Sequence, residues 1–460
     1  MPAEASGAVK ASMYFFEIHD QQDPKHPYLL LQKDLMGGRI NCSLDYRHSE
    51  DDMEYIHREL ERKFAEASRF FKAVLVIGAR QVGKSTMLKH MAQEQRRTYV
   101  TMDNDLDREL ALADPVLFFQ TYKPPILIDE IQKAPTLLNQ IKIMCDESDE
   151  RGRFWLTGSQ RKKLMERSQE TLAGRLGILR LYGLSQREKA GYLHAPVLDF
   201  SMPCLQARQE HMPANDLQRV FQHIWQGGFV DVQSASAEMA QAWYQSYIDN
   251  YLMADAVNNE GIKDVVGFKR LIRACAALAG QLVNYHTLAE AAGISEPTAK
   301  KWVGVLQDMD VVYLLEPYSN NELHRLVKTP KLYFCDTGLC AYLSRWLTAD
   351  TLQCGAANGH FFEDYVVMEL VKNYAYAPQQ AILTFYRDDK AKEIDVFVEE
   401  NGSIHPLEIK MSANPDKKET RKFDVIGKTT LTREKGGIVC MVQRPFPMNA
   451  EDLLIPANLI

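Results

Sequence analysis

The sequence predicts an α/β protein: a doubly wound parallel sheet built on a P-loop, a helical lid, a winged-helix middle and a second α/β domain at the end. Three observations predict it. Residues 78–86 read Gly-Ala-Arg-Gln-Val-Gly-Lys-Ser-Thr. Strand-like and helix-like runs alternate from residue 74 to 184. After residue 359 short apolar alternations return, with a charge inside each.

The 78–86 segment is a complete phosphate-binding loop. Four fixed residues at this spacing arise by chance in a chain of this length about 1 time in 50. Val74-Leu75-Val76-Ile77 forms a buried-strand run before it, and Met87-Leu88-Lys89-His90-Met91 reads as helix after it. Gly78 and Gly83 let the backbone turn its N–H groups toward a phosphate, with a helix N-terminus behind them. Lys84 reaches the β- and γ-phosphates, Ser85 ligates Mg²⁺, and Thr86 completes the loop. The remaining strands are expected at 97–102, 126–129, 154–157 and 178–182, alternating with helices as a parallel sheet requires. A helix with Met53, Ile56, Leu60, Phe64, Ala67 and Phe71 on one face precedes the first strand.

Ile126-Leu127-Ile128-Asp129-Glu130 is an apolar strand ending in two carboxylates, 45 residues after Lys84. A Mg-dependent nucleotidase needs this pair at the C-terminal edge of its sheet, Asp129 for the Mg²⁺ water shell and Glu130 to polarise the attacking water. In Thr157-Gly158-Ser159-Gln160, Ser159 or Gln160 senses the γ-phosphate, or Ser159 merely shapes a turn. Arg175, before the last strand, either stabilises charge on the transferred phosphoryl group, commonly across a subunit interface, or is an ordinary surface arginine.

Composition narrows the class. The chain has 460 residues, 25% charged and 46% hydrophobic, which suits two to three globular domains. No apolar run approaches the ~20 residues that span a bilayer, and no basic-then-apolar leader opens the sequence. Eight cysteines lie scattered without a Cys-x-x-Cys pair, so we expect reduced thiols in a cytoplasm rather than zinc fingers or disulfides. The net charge of −7 offers no general attraction for nucleic acid, although local patches decide. Residues 1–52 hold 5 Lys+Arg against 9 Asp+Glu, whereas 266–331 hold 8 against 6.

Segment 185–260 is helical and aromatic-rich, with Trp225, Trp243, Tyr244, Tyr247 and Tyr251. Beyond it, residues 287–292 make a short helix, Gly293 breaks it, and Ser295 caps a second helix whose start carries Thr298, Lys300 and Lys301. This is a helix-turn-helix layout, with a wing-like strand at 311–315. It serves either DNA contact or packing between domains.

Asp395 and Glu408 each interrupt an apolar strand-like run, 13 residues apart, and Lys410 lies on the same strand face as Glu408. A buried carboxylate needs compensation, and a divalent metal, Mg²⁺ or Mn²⁺, would supply it. Asp395 and Glu408 as ligands, a helical Glu363 as a further one, and Lys410 to position water make the pattern of restriction-endonuclease-like nucleases. The other reading is an Asp–Lys–Glu ion-pair cluster in a fold that does not cut.

With these residues in view, the chain resembles the AAA-type ATPases that carry a C-terminal domain of unknown function numbered 4143. The resemblance spans residues 53 to 425. It rests on the segment beginning Met53-Glu54, the loop 78–86, Ile128-Asp129-Glu130-Ile131-Gln132-Lys133, Leu156-Thr157-Gly158-Ser159, Leu172-Ala173-Gly174-Arg175 and Gly280-Gln281-Leu282-Val283-Asn284-Tyr285. Lys328-Thr329-Pro330-Lys331-Leu332-Tyr333-Phe334 with Asp336-Thr337-Gly338-Leu339, residues 359–363, 386–387, 393–395 and 406–410 complete it. The resemblance implies a P-loop core, a winged-helix middle and a restriction-endonuclease-like end. The extension 1–52 departs from it, and Asp388-Asp389-Lys390 varies a turn.

We therefore expect an extension at 1–52, an AAA-type ATPase domain at 53–184, a helical lid or connector at 185–261, a winged helix at 262–318, a linker at 319–358 and a nuclease-like domain at 359–460. The expected function is an ATPase using ATP and Mg²⁺, coupled to a metal-dependent DNA nuclease, soluble in the cytoplasm, off the membrane and able to form homo-oligomers. The alternative is a nucleotide-regulated DNA- or protein-binding switch with an inactive nuclease-like domain.

Overall fold

Alternation in the first strand, β1 (Ala73–Ile77), sets up two separate cores. Val74 and Val76 join Leu60, Phe64, Met87, Leu88 and Trp155 on one face. Ala73, Leu75 and Ile77 join Phe118, Ile128, Leu137, Ile141 and Leu156 on the other. Period-2 side-chain alternation makes this division, and burial on both faces explains why β1, β3 (Ile126–Asp129) and β4 (Phe154–Gly158) are buried at every position. Helices α1 (Leu60–Phe70) and α2 (Lys84–Gln93) contribute to the first core, while α3 (Asp105–Ala113), α4 (Pro115–Thr121) and α5 (Leu137–Asp146) contribute to the second. With β2 (Thr98–Thr101) and β5 (Leu176–Arg180), the strands form one parallel sheet in the order β2-β3-β4-β1-β5.

This computed structural model describes residues 55–93, 95–159, 172–258, 260–319, 329–388, 390, 392–429 and 431–460. The extension 1–52, Met53, Glu54, Gln160, Lys328 and Asp389 lie outside the described residues. Residues Ile56–Ile460 belong to one unit; of the other, Met1–Tyr55, only Tyr55 is described.

Two local expectations shift. Helix α1 begins at Leu60, later than its apolar pattern suggests. The N–H of Arg58 donates to Glu61 Oε1 at 2.7 Å and that of Glu59 to Glu188 Oε1 at 2.9 Å, so carboxylates take the donors of the entering chain. Strand β5 begins two residues early, because Ala73 N already donates to Arg175 O at 3.1 Å.

After the sheet come α6 (Gln186–Lys189), α7 (Met202–Gln209), α8 (Leu217–Gln226), α9 (Ala237–Tyr247), a π-helical turn (Ile248–Leu252) and α10 (Met253–Asn258). Next are α11 (Val265–Ala277), β6 (Gln281–Leu282), α12 (Tyr285–Ala292), α13 (Glu296–Asp308), β7 (Val312–Leu315) and β8 (Lys331–Phe334). The three strands pair antiparallel in the order β6-β8-β7. Gly293 ends α12 in the left-handed conformation at φ 71°, and Ser295 Oγ accepts from Thr298 N at 3.4 Å to start α13. Trp302 and Leu306 are buried while Lys300 and Lys301 face outward.

Of the stretch 319–358 expected as a linker, residues 320–328 lie outside the described residues, and the described part is built of regular elements. It holds β8, buried at every residue and central in its sheet, then α14 (Thr337–Leu343) and α15 (Ala349–Cys354). Asp336 caps α14 through Leu339 N at 2.8 Å and accepts from Gly228 N at 2.6 Å and Tyr244 Oη at 3.0 Å. Leu332, Tyr333 and Phe334 provide the apolar burial that a true linker lacks.

The last part opens on α16 (Asn358–Tyr376), apolar around most of its circumference and buried between its neighbours. It is followed by β9 (Ile382–Arg387), β10 (Glu393–Glu400), β11 (Ser403–Lys410), a 3₁₀ segment (Lys417–Lys428), β12 (Thr432–Arg433), β13 (Gly436–Cys440), β14 (Phe446–Pro447) and β15 (Asp452–Pro456). The sheet order is β14-β15-β13-β11-β10-β9, with β12 beside β11. Strands β9 to β11 pair antiparallel, then β11, β13 and β15 run parallel.

Candidate functional site

The loop leaves β1 at its C-terminal end and enters α2 at Lys84. Gly78 has φ 152°, and a Cβ there would stand 2.2 Å from Leu181 O. Gly83 has φ 94°. Only glycine satisfies both. Arg58, buried, fixes the loop from outside: Nη1 donates to Val82 O and Nη2 to Tyr182 O, both at 2.7 Å, while Nε meets Glu188 Oε1 at 3.0 Å.

Lys84 Nζ donates to Gly78 O at 3.0 Å and Ala79 O at 2.7 Å. Burial lowers its pKa to about 8, although Glu130 and Asp129 pull the other way. A triphosphate held by Lys84 would favour the charged ammonium, so nucleotide binding at alkaline pH would take up a proton. We expect affinity to fall about tenfold per pH unit above pH 8. Calorimetry in buffers of different ionisation heat checks this, and proton-neutral binding at pH 8.5 would contradict it.

Ser85 Oγ donates to Asp129 Oδ1 at 2.6 Å. Asp129 also accepts from Thr157 Oγ1, and from Tyr99 Oη at 3.2 Å. The next residue, Glu130, sits in the left-handed region at φ 57°, and its N–H donates to Thr157 Oγ1 at 3.0 Å. Gln132 Nε2 donates to Glu130 Oε2 and to Ser159 Oγ, the latter at 3.1 Å. Ser159 Oγ lies 3.3 Å from Glu130 Oε2. Lys84, Ser85, Asp129, Glu130 and Ser159 are thus gathered at one sheet edge, with Thr86 exposed beside them. Thr157, Tyr99 and Gln132 join them without having been assigned roles from sequence. The Ser85 hydroxyl and the Asp129 carboxylate form an oxygen donor set that fits Mg²⁺.

Arg175 is not brought to this edge. In the parallel register Ala73 faces Leu176 and Ile77 faces Arg180, so Arg175 lies at the opposite end of the strands, about 16 Å from the loop at 3.3 Å per residue. Its Nε donates to Asp146 Oδ1 at 2.5 Å. Within one chain it cannot touch a nucleotide in this loop.

The C-terminal carboxylates form a second centre. Asp395 on β10 stands across from Glu408 on β11, by extension of the Val396–Leu407 pairing, and its Oδ2 accepts from Ile409 N at 2.8 Å. Glu408 Oε1 accepts from Lys410 Nζ at 2.6 Å and from Lys422 Nζ at 2.5 Å. Burial, then Asp395, raises the Glu408 pKa to about 7. Glu363 on α16 is raised by burial and then Asp395; it accepts from Lys331 Nζ at 2.9 Å and Tyr333 Oη at 2.7 Å. Lys331, from β8, also lies 2.6 Å from Glu393 and 3.9 Å from Asp395. Burial opposes its charge, but Glu363, Asp395 and Glu393 together hold the ammonium above its ordinary range.

The structure gathers the expected ligands and pairs them with lysines. Asp395, Glu408 and Lys410 do come together, with Glu363 close by, but ammonium groups from Lys331, Lys410 and Lys422 compensate the carboxylates. Among the described residues no group of three or more His, Cys, Asp or Glu side chains is arranged to hold a metal ion.

Residues 70–190 match the AAA domain family. Residues 358–460 match domain of unknown function 4143, as the sequence resemblance implied, and 217–350 match a different one, numbered 8612. An uncharacterized protein of Mycobacterium tuberculosis (strain H37Rv) is 27% identical over 428 residues, covering 92% of this chain and 86% of that one. One from Haemophilus influenzae is 24% identical over 221 residues, 46% of this chain and 50% of that one. Among solved structures, a Walker-type ATPase of Pyrococcus abyssi shares 14% identity over 64% of this chain and 97% of its own, with TM-score 0.37. The RuvB Holliday junction branch migration motor of Thermotoga maritima shares 16% over 55% and 88%, with TM-score 0.24. The chain thus carries an AAA-type P-loop ATPase-like domain followed by domain of unknown function 4143. Among the described residues no helix is long and apolar enough to cross a membrane.

Proposed function

We propose that this protein binds ATP with Mg²⁺ in the 78–86 loop and hydrolyses it. The observation that carries this is the 2.6 Å contact of Ser85 Oγ with Asp129 Oδ1, which joins the loop to the strand carboxylate. Backbone N–H groups after Gly78 and at Gly83 hold the phosphates, and Lys84 pairs with the β- and γ-phosphates. Ser85 and Asp129 would hold Mg²⁺, which when bound neutralises charge on the phosphates. Glu130 orients and polarises water, with Ser159 and Gln132 fixing its carboxylate. Phosphate release by purified protein in Mg²⁺ tests this. Activity absent in wild type, or unchanged on chelation with EDTA, would overturn it.

Arg175 enters only in a homo-oligomer, where it would reach a neighbour's nucleotide. The domain boundaries proposed are those read from the sequence, with β8 (Lys331–Phe334) assigned to the middle sheet.

For the C-terminal centre, its lysine-compensated carboxylates favour an ion-pair network in a nucleotide-regulated DNA- or protein-binding switch over a metal-dependent nuclease. Purified protein with Mg²⁺ or Mn²⁺ is expected to leave duplex and single-stranded DNA intact. Cleavage that disappears in Asp395→Ala and Lys410→Ala would reverse that choice. DNA as partner draws support from the exposed Lys300 and Lys301 near the start of α13. If this helix end contacts phosphates, removing both charges lowers DNA affinity and reduces the salt slope by about 2; unchanged binding would point to a protein partner.

A further inference from the structure

Two consecutive loop residues reach out of the phosphate loop and grip the helical segment. Arg80 makes a two-pronged contact with Asp255, Nε to Oδ2 at 2.6 Å and Nη2 to Oδ1 at 2.9 Å. Its guanidinium also stands 5.9 Å from the centre of the Tyr251 ring. Gln81, in the left-handed region at φ 60°, donates from Nε2 to Tyr251 Oη at 2.9 Å. Tyr251 and Asp255 are one helical turn apart, at the junction of the π-helical turn Ile248–Leu252 with α10. Isolated π-helical turns recur at functional positions because they distort the hydrogen-bond ladder locally.

The charges near the loop make this grip sensitive to a phosphate. Arg80 lies four residues before Lys84 and within electrostatic range of Glu130. Lys84 in turn feels Glu130, Asp129, Arg80 and Asp255. A triphosphate held by Lys84 therefore places several negative charges close to a guanidinium whose present partner is one carboxylate. Arg80 and Asp255 are only partly exposed, at 25% and 18% of their side chains, so solvent screening is incomplete. A ligand shifts a conformational equilibrium only through different interactions with its states, and competition for one guanidinium provides that difference.

We propose that Arg80 is a phosphate-responsive positioning residue. A bound triphosphate competes with Asp255 for its guanidinium, and this exchange loosens the arm Ala237–Asn258 from the loop. The coupling is reciprocal: whatever draws Asp255 and Tyr251 away raises nucleotide affinity. The proposal rests on the ATP-binding reading above.

The test measures Mg-ATP affinity by calorimetry and backbone hydrogen exchange of residues 245–258, in wild type, Asp255→Asn and Arg80→Gln. Asp255→Asn is expected to bind Mg-ATP about 5-fold tighter or more, and its arm, without nucleotide, should exchange as fast as that of nucleotide-bound wild type. Arg80→Gln should show the same fast arm with weaker binding. Tyr251→Phe, which removes one hydrogen bond, gives a smaller change of the same sign and replaces Asp255→Asn should that variant not fold. If wild type binds Mg-ATP while Asp255→Asn and Tyr251→Phe bind equally well and arm exchange ignores nucleotide, the exchange is overturned. If wild type binds no Mg-ATP, the ATP-binding reading fails and takes this proposal with it.

Discussion

Glu130→Gln is expected to keep ATP binding and to lose hydrolysis by about 10²–10⁴-fold, the range for removing a positioned general base. The reason lies in how the residue is held. Its backbone occupies a left-handed conformation at φ 57° that non-glycine residues rarely adopt. That conformation is anchored by the N–H bond to Thr157 Oγ1. The carboxylate then meets Gln132 Nε2 and Ser159 Oγ, so its direction is set before any substrate arrives. Glutamine has nearly the same shape and keeps much of this geometry, but cannot accept a proton from water. Loss of turnover with Kd unchanged within about threefold is the signature of a group acting on the transition state rather than on binding. Binding and turnover falling together would instead mark Glu130 as part of the phosphate cradle.

Lys331→Met is expected to destabilise the protein by about 3–5 kcal/mol, the cost of breaking a buried ion pair by removing one partner. Lys331 is buried, and its ammonium lies within 4 Å of Glu363, Glu393 and Asp395. Methionine preserves the length of the stem and leaves those carboxylates without their shared counter-charge. The sign of the pH dependence follows. Burial and Asp395 already raise Glu363 above the ordinary range, and losing the ammonium raises it further. An acid whose pKa is higher folded than unfolded contributes stability that is present below its unfolded value and lost as pH rises through its folded value. The deficit of the variant should therefore be largest near pH 8 and shrink toward pH 5, as read by thermal or denaturant unfolding. A deficit that does not change with pH would mean that Lys331 contributes through packing alone.

Legibility of the site depended on whether its chemistry is local in the chain. Lys84, Ser85, Asp129, Glu130 and Ser159 sit where a strand ends, and a strand ending in a glycine turn or in two carboxylates carries its meaning within a few residues. Thr157 was hidden because a threonine inside a strand is usually a β-former, and only the sheet shows its hydroxyl between Asp129 and the Glu130 N–H. The distance of Arg175 from the loop of its own chain was hidden for a topological reason: which end of a parallel strand a residue lies on decides whether it meets the loop. Lys331 was quoted within a motif but given no role, because its partners lie more than 30 residues away. The same four-residue strand, preceded by Pro330, was too short to show alternation. Its segment therefore read as a linker, although β8 joins β6 to β7 and reaches the carboxylate centre.

The central claim is that the 78–86 loop is a working ATP site joined to Asp129. Calorimetric titration of Mg-ATP into the wild-type protein and Lys84→Ala, both shown to be folded by circular dichroism, tests it most directly. Saturable one-to-one binding by wild type, weakened at least about 100-fold in Lys84→Ala through loss of a charge-assisted contact, is the expected result. Equal affinity in the two proteins, or none in either, would contradict it.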